Sequence, residues 1–174
     1  ISASGESYGF EFLMEYSRSS VNFRSSYTLS WAYKESQEWL YYAGYDARHS
    51  VNLILDIKLP GGWNVGAMWN YRSGLPFTPS SGYYNKLLLG NLHNDEIFGY
   101  RYTKQLLLGD KYIKRLPDYH RLDISISKKF EIGFAKFDLK FSIMNVYDRN
   151  NLFYFERDTG ERVNMLPFLP TGTI

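Results

Sequence analysis

The chain has 174 residues, 44% of them hydrophobic, which would suffice for one soluble domain, so length and bulk composition leave the class open. Its charges of both signs sum to +2 and form no basic block, which removes a nucleic-acid backbone as an expected partner, while the absence of cysteine removes disulfides, thiolate metal sites and cysteine nucleophiles. The unusual quantity is an aromatic share of 18%, with 16 Tyr, 12 Phe and 4 Trp; Tyr and Trp favour boundaries where one end of the side chain is apolar and the other wet.

The sequence opens on Ile1-Ser2-Ala3-Ser4-Gly5, with no basic segment leading into an apolar one, so a secretory signal is expected outside this sequence. From Ser7 to Tyr16 the even positions are Tyr8, Phe10, Phe12, Met14 and Tyr16 and the odd ones Ser7, Gly9, Glu11, Leu13 and Glu15. That two-residue period predicts a strand with unlike faces. A second run sets Val21, Phe23, Tyr27, Leu29, Trp31 and Tyr33 against Asn22, Arg24, Ser26, Thr28 and Ser30. The third alternates from Val51 to Leu59 and the fourth from Trp63 to Tyr71. A fifth sets Leu122, Ile124, Ile126 and Phe130 against Arg121, Asp123, Ser125 and Lys129, and a sixth runs from Lys136 to Tyr147. A seventh begins near Leu166, where Pro167 and Pro170 suit an edge.

Connections alternate in length. Ser17 to Ser19, Pro60 to Gly62 and Glu131 to Phe134 read as tight turns, whereas Glu35 to Ala47, Gly74 to Asp118 and Arg149 to Met165 are long loops. Turns at one end and loops at the other are the pattern of a transmembrane β-barrel. A soluble all-β domain would share the alternation but not the asymmetry. No stretch reaches the roughly 20 consecutive apolar residues of a spanning helix. Tyr and Trp gather near the stripe ends, at headgroup level for a barrel, and the polar face holds charges that a hydrated lumen accommodates. The expected fold is therefore all-β, an antiparallel transmembrane barrel segment of about seven strands, the last cut short. So few strands do not close a large barrel, so the remaining strands are expected elsewhere in a longer polypeptide, the alternative being partner chains that complete the barrel.

Several stretches together resemble one family. Gly5-Glu6-Ser7-Tyr8-Gly9-Phe10-Glu11 opens a strand, Ser26-Tyr27-Thr28-Leu29-Ser30-Trp31 lies in the next, and Tyr45-Asp46-Ala47-Arg48-His49 opens the third. Asn70-Tyr71-Arg72-Ser73-Gly74-Leu75-Pro76-Phe77-Thr78 leaves a strand for a long loop and Tyr119-His120-Arg121-Leu122-Asp123 returns from it. Ile143-Met144-Asn145-Val146-Tyr147-Asp148-Arg149-Asn150-Asn151 and Leu166-Pro167-Phe168-Leu169-Pro170-Thr171 complete the series. In order and spacing these resemble the C-terminal barrel of TonB-dependent receptors of the Bacteroidetes type, over nearly the whole chain. The family's closing strand continues to a terminal aromatic beyond the point where this sequence stops, at Ile174.

The resemblance implies that residues 1–174 are the C-terminal part of a barrel of about 22 strands, with the plug and the N-terminal strands outside this sequence. It implies a Gram-negative outer-membrane location, with outer-membrane lipid, the plug and remaining strands, and the TonB complex acting through the plug as partners. The imported ligand is a metal chelate, cofactor, peptide or glycan, which family membership does not name. A scaffolding barrel subunit of an envelope complex would use the same wall without plug or TonB contact. An outer-membrane protease or lipase is disfavoured, because no nucleophile and base with supporting context occur; no enzymatic activity and no cofactor are expected.

Site candidates follow from position. The Gly74–Asp118 loop far exceeds the about 12–15 residues beyond which loops are usually functional or disordered. Its Tyr83, Tyr84, Tyr100, Arg101 and Tyr102 are candidates for ligand contact, against the alternative of packing on neighbouring loops. Arg24, Arg72, Arg121, Asp123, Asp138 and Lys140 are expected to face the lumen as a cross-strand ladder of the wall. His93, Asp95 and Glu96 have metal-ligating chemistry but read as a solvated cluster, and no metal is expected. His49 and His120 are expected to position strand starts.

Overall fold

A computed structural model describes residues 3–36, 39–87, 102–156 and 159–174. The first half of the chain forms β1 (Ala3–Arg18), β2 (Val21–Ser36), β3 (Trp39–Tyr42), β4 (His49–Leu59), a 3₁₀ turn at Pro60–Gly62, β5 (Trp63–Arg72), β6 (Pro76–Phe77) and β7 (Ser80–Leu87). The second half forms β8 (Tyr102–Leu108), β9 (Lys114–Arg115), β10 (Tyr119–Ile132), β11 (Ala135–Met144), β12 (Leu152–Phe155), β13 (Arg162–Asn164) and β14 (Leu169–Thr173). The fold is all-β. One antiparallel sheet runs in the order β1-β2-β4-β5-β10-β11-β14, and β3 pairs with the far end of β2. The sheet is open, with β1 and β14 as its edges among the described residues.

Register carries the alternation from strand to strand. Phe23, Leu55, Ala67, Ile124 and Ile143 lie opposite one another in a row, and Tyr27, Val51, Tyr71 and His120 form another. On the reverse face the rows are polar: Ser26, Asn52, Asn70 and Arg121, and Asn22, Asp56, Gly66, Ser125, Ser142 and Thr171. A slip of one residue in any pair would exchange the faces, so the pattern pins the register throughout.

The two ends differ as the spacing predicts. At the turn end, β1 meets β2 through Ser19 and Ser20, β4 meets β5 through Gly61 (φ 76°) and Gly62 (φ 80°), and β10 meets β11 through Gly133 (φ 61°) and Phe134. The loop end is more ordered than a reading of long connections predicts. Within the 74–118 loop, β7 pairs with β8 and β6 with β9, and β12 pairs with β13 in the last connection.

Several boundaries shift: Ser17 and Arg18, read as turn, close β1, and Glu131 and Ile132, read as turn, close β10. The sixth run was expected to reach Tyr147, but β11 ends at Met144 because Asn145 (φ 53°) and Asp148 (φ 49°) turn the chain through left-handed conformations. The seventh starts at Leu169 rather than near Leu166, since Asp148 Oδ1 accepts the Phe168 N–H (2.8 Å) and holds that residue in the connection.

Burial is concentrated away from the middle of the sheet. Among the described residues the buried hydrophobic side chains are Ala32, Ala43 and Leu152, all at the loop end. The apolar face stays partly or fully exposed, with Phe10 at 74% and Phe141 at 48%. The main strand contacts among the described residues are those of hydrogen-bonded neighbours, with Phe77 on β6 against Phe155 on β12 (5.4 Å) at the loop end, and no second layer of described residues covers the mid-sheet apolar face.

Candidate functional site

The fully buried polar side chains, Asp46 and Asn145, both sit at the loop end. Asp46 lies where β2 has outrun β4 and β3 has not yet begun to pair, leaving a gap in the ladder. Its Oδ1 accepts the Ala32 N–H at 2.7 Å, replacing the missing strand partner. The other oxygen pairs with the Arg115 guanidinium and lies 3.5 Å from Arg48 Nη2. Arg115 also donates to the Asp46 carbonyl (2.9 Å) and the Gly74 carbonyl (3.0 Å), fastening the long loop to the shorter one. Both cations lie over aromatic faces, Arg48 5.0 Å from the Trp31 centroid and Arg115 4.9 Å from that of Tyr42. A carboxylate with two guanidiniums and a backbone donor meets the requirement for a buried charge.

The neighbouring junctions use the same chemistry. Asp118 accepts the Tyr71 hydroxyl (2.8 Å) and the Gly74 N–H (2.9 Å), closing the start of the loop against its return. The Leu116 backbone crosses so near Gly74 that a side chain there would collide with it. Asn145 donates to the Arg149 and Leu166 carbonyls (3.0 and 3.2 Å), accepts the Arg149 N–H (3.1 Å), and its own N–H reaches Asp123 (2.9 Å). Asn151 brackets the His120 backbone, accepting its N–H at 3.2 Å and donating to its carbonyl at 2.9 Å. His49 Nδ1 lies 2.9 Å from the Tyr27 hydroxyl and His120 Nδ1 2.8 Å from that of Tyr147, consistent with positioning roles.

Above this collar a cleft of about 700 Å³ opens between β3 and residues 109–113. Tyr33, Trp39, Tyr41, Tyr42 and Tyr112 line it, together with Asp110 and Lys111. Tyr41 and Tyr112 stack at 5.9 Å, and the Lys111 ammonium lies 5.5 Å from the Tyr41 centroid. Such a surface offers flat apolar faces with charged groups at the side, suited to a ligand that stacks and hydrogen-bonds.

The expected loop residues are distributed differently. Tyr83 and Tyr84 are adjacent on β7, hence on opposite faces of the hairpin, and both are exposed. Tyr102 opens β8 opposite Leu87. Tyr100 and Arg101 lie outside the described residues, as do His93, Asp95 and Glu96. The expected wall residues Arg24, Arg72, Arg121, Asp123, Asp138 and Lys140 all fall on the polar face, yet they form separate pairs rather than one ladder. Arg24 meets Glu15 (2.7 Å), Arg121 meets Asp123 (2.8 Å) and Lys129 meets Asp138 (3.5 Å), while Lys140 lies opposite Ser127 and Thr173.

Sequence reasoning missed Arg115, Asp118 and the Tyr41–Tyr112 cleft. The density of aromatics in Trp39-Leu40-Tyr41-Tyr42 was the available signal for the cleft. Nothing in the sequence signals the pairing of Arg115 with Asp46. Compared with known proteins, the chain matches no family model, no curated protein and no solved structure.

Proposed function

We propose that this chain is a stretch of wall from an outer-membrane β-barrel, part of a TonB-dependent receptor that captures a scarce ligand at its loop end and imports it. The observation that carries the reading is an apolar face running across seven antiparallel strands with no layer packed on it among the described residues. From Trp63 to Tyr71 the stripe on β5 measures about 26 Å at roughly 3.3 Å per residue, or about 20 Å once tilted by about 40°. That approaches the lipid-facing band of about 25 Å found in such barrels. Aromatics bound it at both ends, Tyr27, Tyr71 and Tyr147 on the loop side and Trp63, Phe130 and Phe137 on the turn side. Lys128, a cation on the apolar face, lies 4.8 Å from the Trp63 centroid at the turn end, where its stem can reach headgroups. The aromatic cleft in the loops favours ligand capture over a purely scaffolding barrel.

Single cysteines placed in this stretch, which has none of its own, test this against the parent protein as the labelling blank. In intact cells a membrane-impermeant maleimide should label Tyr84→Cys in the loops. Leu55→Cys on the apolar face should stay unlabelled until detergent is added, and Lys129→Cys at the turn end until the outer membrane is permeabilised. Recovery of the protein in the soluble fraction, or equal labelling of all three positions in intact cells, would refute the proposal.

A further inference from the structure

The polar face contains a cleft of about 460 Å³ near the loop end, lined in part by Ser50, Asn52, Asn70, Arg72, Tyr119 and Arg121. Arg121 lies opposite Asn70 and Arg72 opposite Tyr119, so the two arginines are diagonal neighbours with backbones about 7–8 Å apart. Side chains at that separation can converge on one group. Between them the two arginines have one charged partner among the described residues, Asp123. The Arg72 guanidinium lies over the Tyr119 ring at 5.6 Å and has no hydrogen-bond acceptor among the described residues. Arg121 donates one Nη2 bond to Asp123 Oδ2 (2.8 Å), and the other oxygen of Asp123 is taken by the Asn145 N–H. The Nε atoms of Arg72 and Arg121 are both buried and unpartnered.

We infer that this cleft is a binding site for one anionic oxygen group, a carboxylate or a phosphate, held between Arg72 and Arg121. Two guanidiniums against one carboxylate leave a positive charge in a half-buried pocket, which repels metal ions and favours an anion with several acceptor oxygens that the two arginines can share. Leaving such donors unpaired is costly, and water supplies acceptors without neutralising the charge. The inference goes beyond the receptor reading and stands without it, since it depends on the polar face alone. The anion is either free or carried by an acidic side chain elsewhere in the same polypeptide.

Thermal unfolding of the intact protein, followed in phosphate or citrate against chloride at equal ionic strength, separates these sources. A free-anion site gives an anion-specific rise in the unfolding midpoint, and Arg72→Gln should weaken the apparent affinity about tenfold to a hundredfold, with Arg72→Lys keeping the charge and part of the effect. A tethered carboxylate gives no shift with free anions, but a photo-crosslinking residue at Asn70 should then capture an acidic segment of the same polypeptide, with capture lost in Arg72→Gln. Should neither an anion-specific shift nor an arginine-dependent crosslink be found, the inference is overturned.

Discussion

The middle of the sheet and its loop end are built on different principles. Mid-sheet, side chains form rows of like character, and the described residues contain no buried apolar core there. What holds the strands is the backbone ladder, and the sheet relies on whatever medium meets its apolar face. At the loop end, few side chains are involved, but Asp46, Asn145 and Asn151 are buried with their polar atoms individually satisfied. Mid-sheet, substitutions should therefore be judged by how well they suit the medium, and at the collar by whether the groups bound to Asp46, Asn145 and Asn151 still find a partner.

The sharpest way to break that contrast is at Asp46. Asp46→Ala strands the Arg115 and Arg48 cations and the Ala32 N–H. Removing one partner of a buried ion pair costs about 3–5 kcal/mol; here the lower end applies, about 3 kcal/mol, because the two arginine side chains keep 32% and 26% exposure. Trypsin cleavage at Lys111, Lys114 and Arg115 should accelerate on the order of a hundredfold, as opening of the loop gains that much population. An unchanged rate would mean that the clamp is incidental.

A comparable effect is expected mid-sheet from a different cause. Leu55→Arg, at mid-stripe opposite Phe23 and Ala67, should cost about 2–4 kcal/mol if lipid faces it, and Leu59→Arg, beside Trp63 at the stripe's end, about 0–1 kcal/mol. Equal costs at the two depths, measured by urea unfolding from vesicles, would deny a bilayer its place there.

Smaller again is the effect at Asn145. Asn145→Ala removes its amide bonds and also places a side chain at φ 53° without the local hydrogen bonds that let Asn adopt it. A loss of about 2 kcal/mol is expected. Asn145→Gly should recover roughly half by relieving the backbone. If the two variants are equally unstable in the same assay, the amide contacts alone account for the role of Asn145.

The middle of the sheet was legible in the sequence because its rule is periodic: Val51 to Leu59 and Trp63 to Tyr71 each declare their faces without reference to any other strand. The alternation of turns and loops was legible for the same reason, through Gly61, Gly62 and Gly133. At the collar, contacts join residues far apart in the chain, and a pairing such as Asp46 with Arg115 has no local signature. The stretches from Tyr45 to His49, Asn70 to Thr78, Tyr119 to Asp123 and Ile143 to Asn151 were read only as strand entries, exits and tips, and the hydrogen-bond sets that Asp46, Gly74, His120 and Asn145 complete there were not legible. The β7–β8 hairpin escaped notice because Ser80 to Leu87 does not alternate between apolar and polar residues.

The least effect, and the finest test of the contrast, is expected at Gly66. Replacing a strand glycine by alanine ordinarily gains about 0.5–1 kcal/mol through reduced freedom of the unfolded chain. Gly66 is buried on the polar face, however, and a Cβ there would stand 2.8 Å from Ser125 Oγ and 3.2 Å from Asp56 Oδ1. The Ser125 hydroxyl is the nearer obstacle and has to shift to admit the new methyl group, so the gain should turn into a loss of about 1 kcal/mol. Adding Ser125→Ala should return most of it, because the atom in the way is then gone and the two positions are cross-strand partners. A double variant no better than Gly66→Ala alone would place the conflict at Asp56 instead. A Gly66→Ala protein more stable than the parent would mean that the polar face is as permissive as the apolar one, leaving the collar as the part of the chain where individual side chains decide stability.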